Sequence, residues 1–213
     1  MADATELRGR LAHVYWLGGG SGAGKSTIAR KLAQRHGLTL YSTDDVMAEH
    51  AQRCTGQDCP LLDAFKKMDM DERWAMQSPE VMLETFPWFK GEGFHLIVED
   101  LLALPEDEPV IVEGFRLLPG CVRPLLAAPE TALWLIPTPQ FRAAAFQSRG
   151  TLWTIANKTS HPEHALQSLL ERDAMFTRRL QEDAAAAGLS AIQVDTDMTE
   201  EALEDMVEAR FRL

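Results

Sequence analysis

Short apolar segments alternate with longer amphipathic ones along this 213-residue chain, and that alternation sets the first expectation about its fold. Five segments read as strands: His13 to Leu17, Thr39 to Ser42, Val110 to Val112, Ala132 to Ile136 and Ala191 to Val194. Each is short, apolar and followed by polar or Gly/Pro punctuation. Helical patterns lie between them over Ser26 to His36, a tract from about Pro79 to Leu104, Gln140 to Arg149, His164 to Ala187 and Thr199 to Phe211. Strands alternating with helices imply an α/β fold, a five-stranded parallel sheet with helices on both faces and ligands at the carboxyl ends of the strands.

The spacing is uneven. Asp45 to Glu108 separates the second and third strands by far more than a crossover needs. We read 1–213 as a single domain carrying a helical, substrate-side insertion at about 46–108 and a lid after the fourth strand at about 148–163. In the insertion, Val81, Met82, Phe86, Phe89, Phe94 and Ile97 are apolar, with Pro87 and Gly91-Glu92-Gly93 interrupting them. Helices that close over a substrate and a helical layer serving only as core fit that pattern equally. The lid carries Arg149-Gly150, Asn157-Lys158-Thr159-Ser160 and His161-Pro162, and a loop of this kind excludes water when it closes.

Chemistry enters between the first strand and the first helix. Gly19-Gly20-Ser21-Gly22-Ala23-Gly24-Lys25-Ser26 satisfies G-x-x-x-x-G-K-[ST] without a mismatch and stands where that pattern works, after a strand and before a helix. Glycines let the backbone curl and point its amides at phosphate oxygens, while the helix N-terminus adds partial positive charge. Lys25 then reaches the β and γ phosphates, and the Ser26 hydroxyl, followed by Thr27, is suited to ligate Mg²⁺. The chain thus reads as a nucleoside-triphosphate enzyme.

Charge and cysteine content narrow the partners. Lys plus Arg number 21 against 32 Asp plus Glu, a formal charge of −11, with no dense basic block. That balance argues against nucleic acid and for a small molecule. Three cysteines, Cys54, Cys59 and Cys121, and no apolar leader fit a reducing cytoplasm. No apolar run approaches the roughly eighteen residues of a membrane span. The pattern leaves the oligomeric state open.

The order of elements and four segments resemble the P-loop small-molecule kinases, the group of nucleoside monophosphate, shikimate, gluconate, uridine and antibiotic kinases. The segments are the phosphate loop, Thr43-Asp44-Asp45, Val110-Ile111-Val112-Glu113-Gly114, and the arginine-bearing stretch after the fourth strand. The resemblance implies ATP and Mg²⁺ as cofactors and phosphoryl transfer to a hydroxyl or phosphate of a small metabolite. It implies Asp44 as the base facing the acceptor, with Asp45 the close alternative, although either can instead cap the next helix. Glu113 stands where the Walker B acid is expected, to hold the Mg²⁺ shell with Ser26 or to engage the substrate. Arg116 can reach the acceptor or its anionic group, or equally be a solvated loop residue. Among arginines, Arg149 is the catalytic candidate, with Arg172, Arg178, Arg179 and Arg142 as further ones, set against surface ion pairing by Glu171, Asp173, Glu182 and Asp183.

Other signals stay in the background. Asn157-Lys158-Thr159-Ser160 begins like a guanine-reading element but ends without its carboxylate, which tilts the nucleotide to ATP. His50, Cys54 and Cys59 have loose zinc-like spacing without a second tight pair. Trp16 and Trp134 read as core, whereas Trp88, Phe89 and Trp153 are candidates to line an apolar pocket. Two rival functions stand beside the kinase: a nucleotide-driven switch or ATPase acting on a protein partner, and a kinase of polynucleotide ends or nucleotide-sugars.

Overall fold

Five strands form the sheet: β1 (Val14–Gly19), β2 (Thr39–Ser42), β3 (Val110–Glu113), β4 (Ala132–Pro137) and β5 (Ser190–Val194). They pair in the order β2-β3-β1-β4-β5, and every neighbour is parallel. The computed structural model describes residues 4–149 and 151–213, of which 4, 146–149 and 151–153 are described for their backbone alone. The expected five-stranded parallel sheet with helices on both sides is what the chain forms. β1 lies between β3 and β4, so the chain steps to one side of it and later to the other. A crevice opens at the carboxyl ends where the direction reverses.

β1 runs two residues beyond its apolar run because Gly18 and Gly19 pair with Trp134 and Leu135 of β4. A Cβ on Gly18 would collide with the Trp134 indole, and one on Gly19 with the Leu135 carbonyl. Only glycine allows the strand to continue this close to its neighbour.

Side-chain alternation divides the core into two layers. On one face, Trp16, Val112, Trp134 and Ile136 pack with Phe176 and Leu180 of the long helix α11 (Pro162–Ala186). On the other, Leu17, Ile111, Leu133 and Leu135 pack with α2 (Lys25–His36) and α12 (Glu200–Phe211). Trp16 and Trp134 are fully buried, as their strand positions imply, and the Trp134 indole N–H donates to the Leu117 carbonyl at 2.8 Å. A first helix, α1 (Ala4–Arg10), precedes β1 and was not legible as a periodic segment.

Between β2 and β3 the chain folds into α3 (Met47–Arg53), α4 (Pro60–Lys67), α5 (Met70–Trp74), α6 (Pro79–Thr85) and α7 (Phe94–Leu102). The tract expected from Pro79 to Leu104 is broken where its own sequence breaks it. Pro87 ends α6 in a 3₁₀ turn, Pro87–Lys90, and Gly91 and Gly93 take φ of 81° and 69° before α7. Local chemistry fixes the starts: Asp69 and Glu72 form a reciprocal capping box on α5, and the Ser78 hydroxyl accepts from the Val81 amide ahead of Pro79.

After β3 come α8 (Pro119–Val122) and β4; after β4 come α9 (Pro139–Arg149) and α10 (Thr151–Ala156), then α11. The segment expected as a loop-like lid at 148–163 therefore contains a short helix. α11 packs on α5, α6, α10 and β4 together, tying the inserted helices to the sheet.

Candidate functional site

β1 delivers the chain into the phosphate loop with a built-in curl. Gly19, Gly22 and Gly24 have φ of 136°, 80° and 85°, conformations that side chains resist. α2 starts directly at Lys25, and no side chain caps its first turn, so the helix end faces the loop's concave side. The buried Lys25 ammonium donates to the Gly20 carbonyl at 2.8 Å, which holds it over the loop.

Two cavities meet at this loop. One, of about 580 Å³, is bounded by Thr27, Phe141, Ala144, Thr196, Met198 and Thr199, on the side of β4 and β5. The other, of about 490 Å³, lies toward the inserted helices. Lys25, Ser26 and Asp44 line its floor, and Trp74, Phe86 and Trp88 are among its walls. Gly22 and Gly24 border both cavities. A molecule extended along the loop would therefore have one end in each.

Two of the expected carboxylates, Glu113 and Asp44, lie close enough to Lys25 and to each other to interact, and of the two only Asp44 borders the second cavity. Glu113, at the end of β3, is only 2 % exposed, and its Oε2 has no hydrogen-bond partner. Burial pushes its carboxyl above the usual range, while Lys25 and the Ser42 and Ser26 hydroxyls pull it back and Asp44 adds to the rise. Asp44 borders the cavity, and desolvation by the surrounding walls raises its carboxyl too, with Lys25 and Arg116 opposing. Asp45 does not border either cavity. Neither aspartate caps α3, whose N-cap is Val46 without a side-chain bond, so the capping reading does not hold.

A Mg²⁺ ion fits this donor set. It prefers oxygen ligands and keeps most of its water, and a serine hydroxyl beside a buried carboxylate with an unpaired oxygen supplies that without a protein cage. Among the described residues, no group of three or more His, Cys, Asp or Glu could hold a metal by itself.

Comparison with known proteins agrees with this geometry. A family profile described as an AAA domain matches residues 18–88, from the phosphate loop to the inserted helices. An adenylate kinase of Deinococcus deserti is 34% identical over 96 residues, which cover 39% of this chain and 49% of that protein. The chain thus matches about half the length of that curated relative. The resemblance to P-loop small-molecule kinases stands. A crystal structure of an uncharacterized protein from Eubacterium ventriosum is also similar, at 14% identity and a TM-score of 0.48, over 93% of this chain and 97% of that one.

Within this kinase-like frame, Arg116 is not where the sequence suggested. It is 2 % exposed and borders neither cavity. Its guanidinium lies 4.2 Å from the Trp88 ring centroid and donates to the carbonyls of Thr43 (3.3 Å) and Gly93 (3.2 Å). It also meets His50 Nδ1 at 3.1 Å, and His50 Nε2 meets Asp100 at 2.7 Å. Burial pulls Arg116 down to about 10 and also lowers His50. Arg116 is a brace behind the cavity wall, holding the backbone that carries Asp44. His50 is spoken for by this network rather than by a metal, and Cys54 and Cys59 pack beneath Trp88.

The arginines sort by position. Arg172 is 5 % exposed and borders the aromatic cavity, with Nε and Nη2 donating to Asp173 at 3.0 and 2.6 Å. Arg179 pairs with Glu84 on the outer side of α6. Arg142 is lowered by burial, raised by Asp173 and lowered again by Arg178, so these three charges are neighbours. Arg149 ends α9; its side chain, that of Trp153, and Gly150 lie outside the described residues. Asn157 to Ser160 turn toward α5, where the Ser160 amide donates to Asp71 at 2.6 Å, and this stretch borders neither of the two cavities.

Sequence reasoning found Trp88 and Phe89 in the cavity wall but missed Phe65, Trp74, Phe86 and Phe115, along with Phe141, Thr196 and Met198 of the other cavity. A signal existed for the second group. Asp195 to Met198 follow β5 directly, at the strand end where doubly wound sheets bind ligands.

Proposed function

We propose that this protein transfers the γ-phosphoryl group of ATP to a small acceptor bound among the inserted helices. The observation that carries the reading is the pair of cavities on either side of one phosphate loop, both bordered by Gly22 and Gly24. Gly19 to Thr27 hold the phosphates through loop amides, Lys25 and the helix end. The nucleoside lies in the cavity walled by Phe141, Thr196 and Met198. Ser26 and Glu113 would hold Mg²⁺, which when bound neutralises charge on the phosphate oxygens.

Asp44 acts on the acceptor. Its carboxylate borders the cavity, orients the hydroxyl and takes its proton, and its raised affinity for a proton suits a base. Arg149 is, on sequence alone, the candidate to steady the transferring charge, and Arg142 and Arg178, neighbours of Asp173, are further candidates. Arg116 serves the site through Thr43 rather than by touching the acceptor, and Asp45 serves no contact in either cavity. No helix among the described residues is long and apolar enough to cross a membrane.

Calorimetry with magnesium and a non-hydrolysable ATP analogue tests the foundation. Binding to the parent protein, sharply weakened in Lys25→Ala, supports it. Absence of binding to well-folded parent protein removes it.

A further inference from the structure

Aromatic side chains dominate the walls of the second cavity. Phe65, Trp74, Phe86, Trp88, Phe89 and Phe115 surround it. Trp74, Phe65, Phe86, Phe89 and Phe115 form an unbroken series of edge-to-face contacts, with centroids 5.3 Å apart for Phe65 and Trp74 and 4.8 Å for Phe86 and Phe89, and Phe86 and Phe115 also pack against the cluster that holds Trp88. Behind the shell Met82, Ala165 and Leu169 complete the packing, while its front opens onto the loop and Asp44.

Charge inside the box is nearly balanced. Besides Lys25, the cation bordering it among the described residues is Arg172, and Asp173 already takes two of its donors. The Nη1 nitrogen, with its two N–H groups, is buried and has no hydrogen-bond partner. The guanidinium lies 5.0 to 5.2 Å from the ring centroids of Phe86, Phe89 and Trp74, fixed in place by three faces. A buried, unmet nitrogen held this rigidly asks for at least one acceptor atom.

These features exclude more than they admit. A phosphate-bearing acceptor would bring two negative charges to an arginine whose charge Asp173 already offsets. A sugar or other polyol would turn several hydroxyls toward aromatic carbon, leaving them unpaired. A flat apolar body with a single hydroxyl and one hydrogen-bond-accepting group meets every demand.

Building on the phosphotransfer reading, we infer that the acceptor is an uncharged aryl alcohol. Its ring lies among the six aromatic side chains, a carbonyl, nitro or ether oxygen receives Arg172 Nη1, and its hydroxyl faces Asp44. Asp44 takes the hydroxyl proton as that oxygen forms its bond to the γ-phosphorus. The bond from that phosphorus to the β–γ bridging oxygen breaks with its electron pair, and ADP leaves.

The test offers Mg-ATP with 4-nitrobenzyl alcohol, 4-methoxybenzyl alcohol, AMP and glucose in turn, following ADP release and the phosphorylated product by ³¹P NMR. Trp74 and Trp88 report occupancy separately, through quenching of their fluorescence by the same alcohols without nucleotide. The expected result is an aryl alcohol preferred over AMP and glucose by at least about tenfold in kcat/KM, with Phe86→Ala raising its KM by about tenfold. Phe65→Leu, a milder change, should raise the same KM and so guards against a folding defect in Phe86→Ala. Transfer to AMP or glucose in preference overturns the acceptor class and leaves phosphotransfer standing. ATP uptake without binding or phosphorylation of any aryl alcohol overturns the class as well. Failure to take up ATP overturns the underlying reading.

Discussion

Thr43 is pressed so closely on Gly114 that a Cβ at Gly114 would overlap the Thr43 hydroxyl, and Gly114 also holds φ at 145°. Thr43 donates its amide to the Glu113 carbonyl at 2.9 Å and lends its own carbonyl to Arg116. The end of β2 is thereby pinned to the end of β3, and Asp44 and Glu113 are held across one crevice. Gly114→Ala should destabilise the fold by about 1–3 kcal/mol through backbone strain alone, with the clash adding to it. Urea unfolding measures the loss, and a Thr43→Ala, Gly114→Ala double variant should recover the part due to the clash.

Arg116 makes a second prediction. Replacing it by Met keeps the stem under Trp88 but removes the donors to Thr43, Gly93 and His50. The variant should lose about 2–4 kcal/mol of stability, as when one partner of a buried polar network is removed. Because Arg116 borders neither cavity, kcat should fall through displaced Asp44 while affinity for ATP stays near the parent value; steady-state kinetics with both substrates varied distinguishes the two.

Loop and base should separate cleanly in kinetics. Lys25→Ala is expected to reduce turnover by about 10²–10³-fold and weaken nucleotide binding. Asp44→Asn should reduce transfer by about 10²–10⁴-fold with nucleotide binding retained. Parental transfer rates in Asp44→Asn would remove that residue from its role.

The pattern of residues made the scaffold legible because scaffold information is local. Alternation fixed the five strands, and the loop motif fixed the phosphate end. Stops such as Pro87 and the Gly91 to Gly93 turn were visible as interruptions, though the helices between them were too short for periodicity to find α3, α4 and α5. The aromatic cavity was largely hidden for a different reason. Phe65 and Trp74 come from the insertion, Phe115 from just after β3, and Arg172 from α11, and nothing along the chain says that these meet. Arg116 shows the converse: its position near the strand end suggested a ligand contact, whereas tertiary packing turned it inward.

Acidity offers a fourth prediction. Asp44 and Glu113 both bind protons more tightly when folded, owing first to burial. A group raised in this way adds stability at low pH and loses it as pH rises through its folded-state value. Glu113→Gln should therefore be more stable than the parent near neutrality, with the gap closing as pH falls toward the ordinary carboxylate range. Chemical unfolding at about pH 5 and about pH 7.5 checks the sign. Activity should fall on the acid side at a pH above that of an ordinary aspartate, because Asp44 must be ionised to accept a proton.

Gly22 and Gly24 belong to two chambers at once, and this has a kinetic meaning. On the proposed reading, donor and recipient would face each other across the phosphate loop, and phosphorus would pass between them in one displacement without lodging on the chain. Phosphorus made chiral by isotopes would then emerge with inverted handedness, and a single tethered compound joining adenosine to an aryl group through a run of phosphates would occupy both chambers as one bivalent ligand.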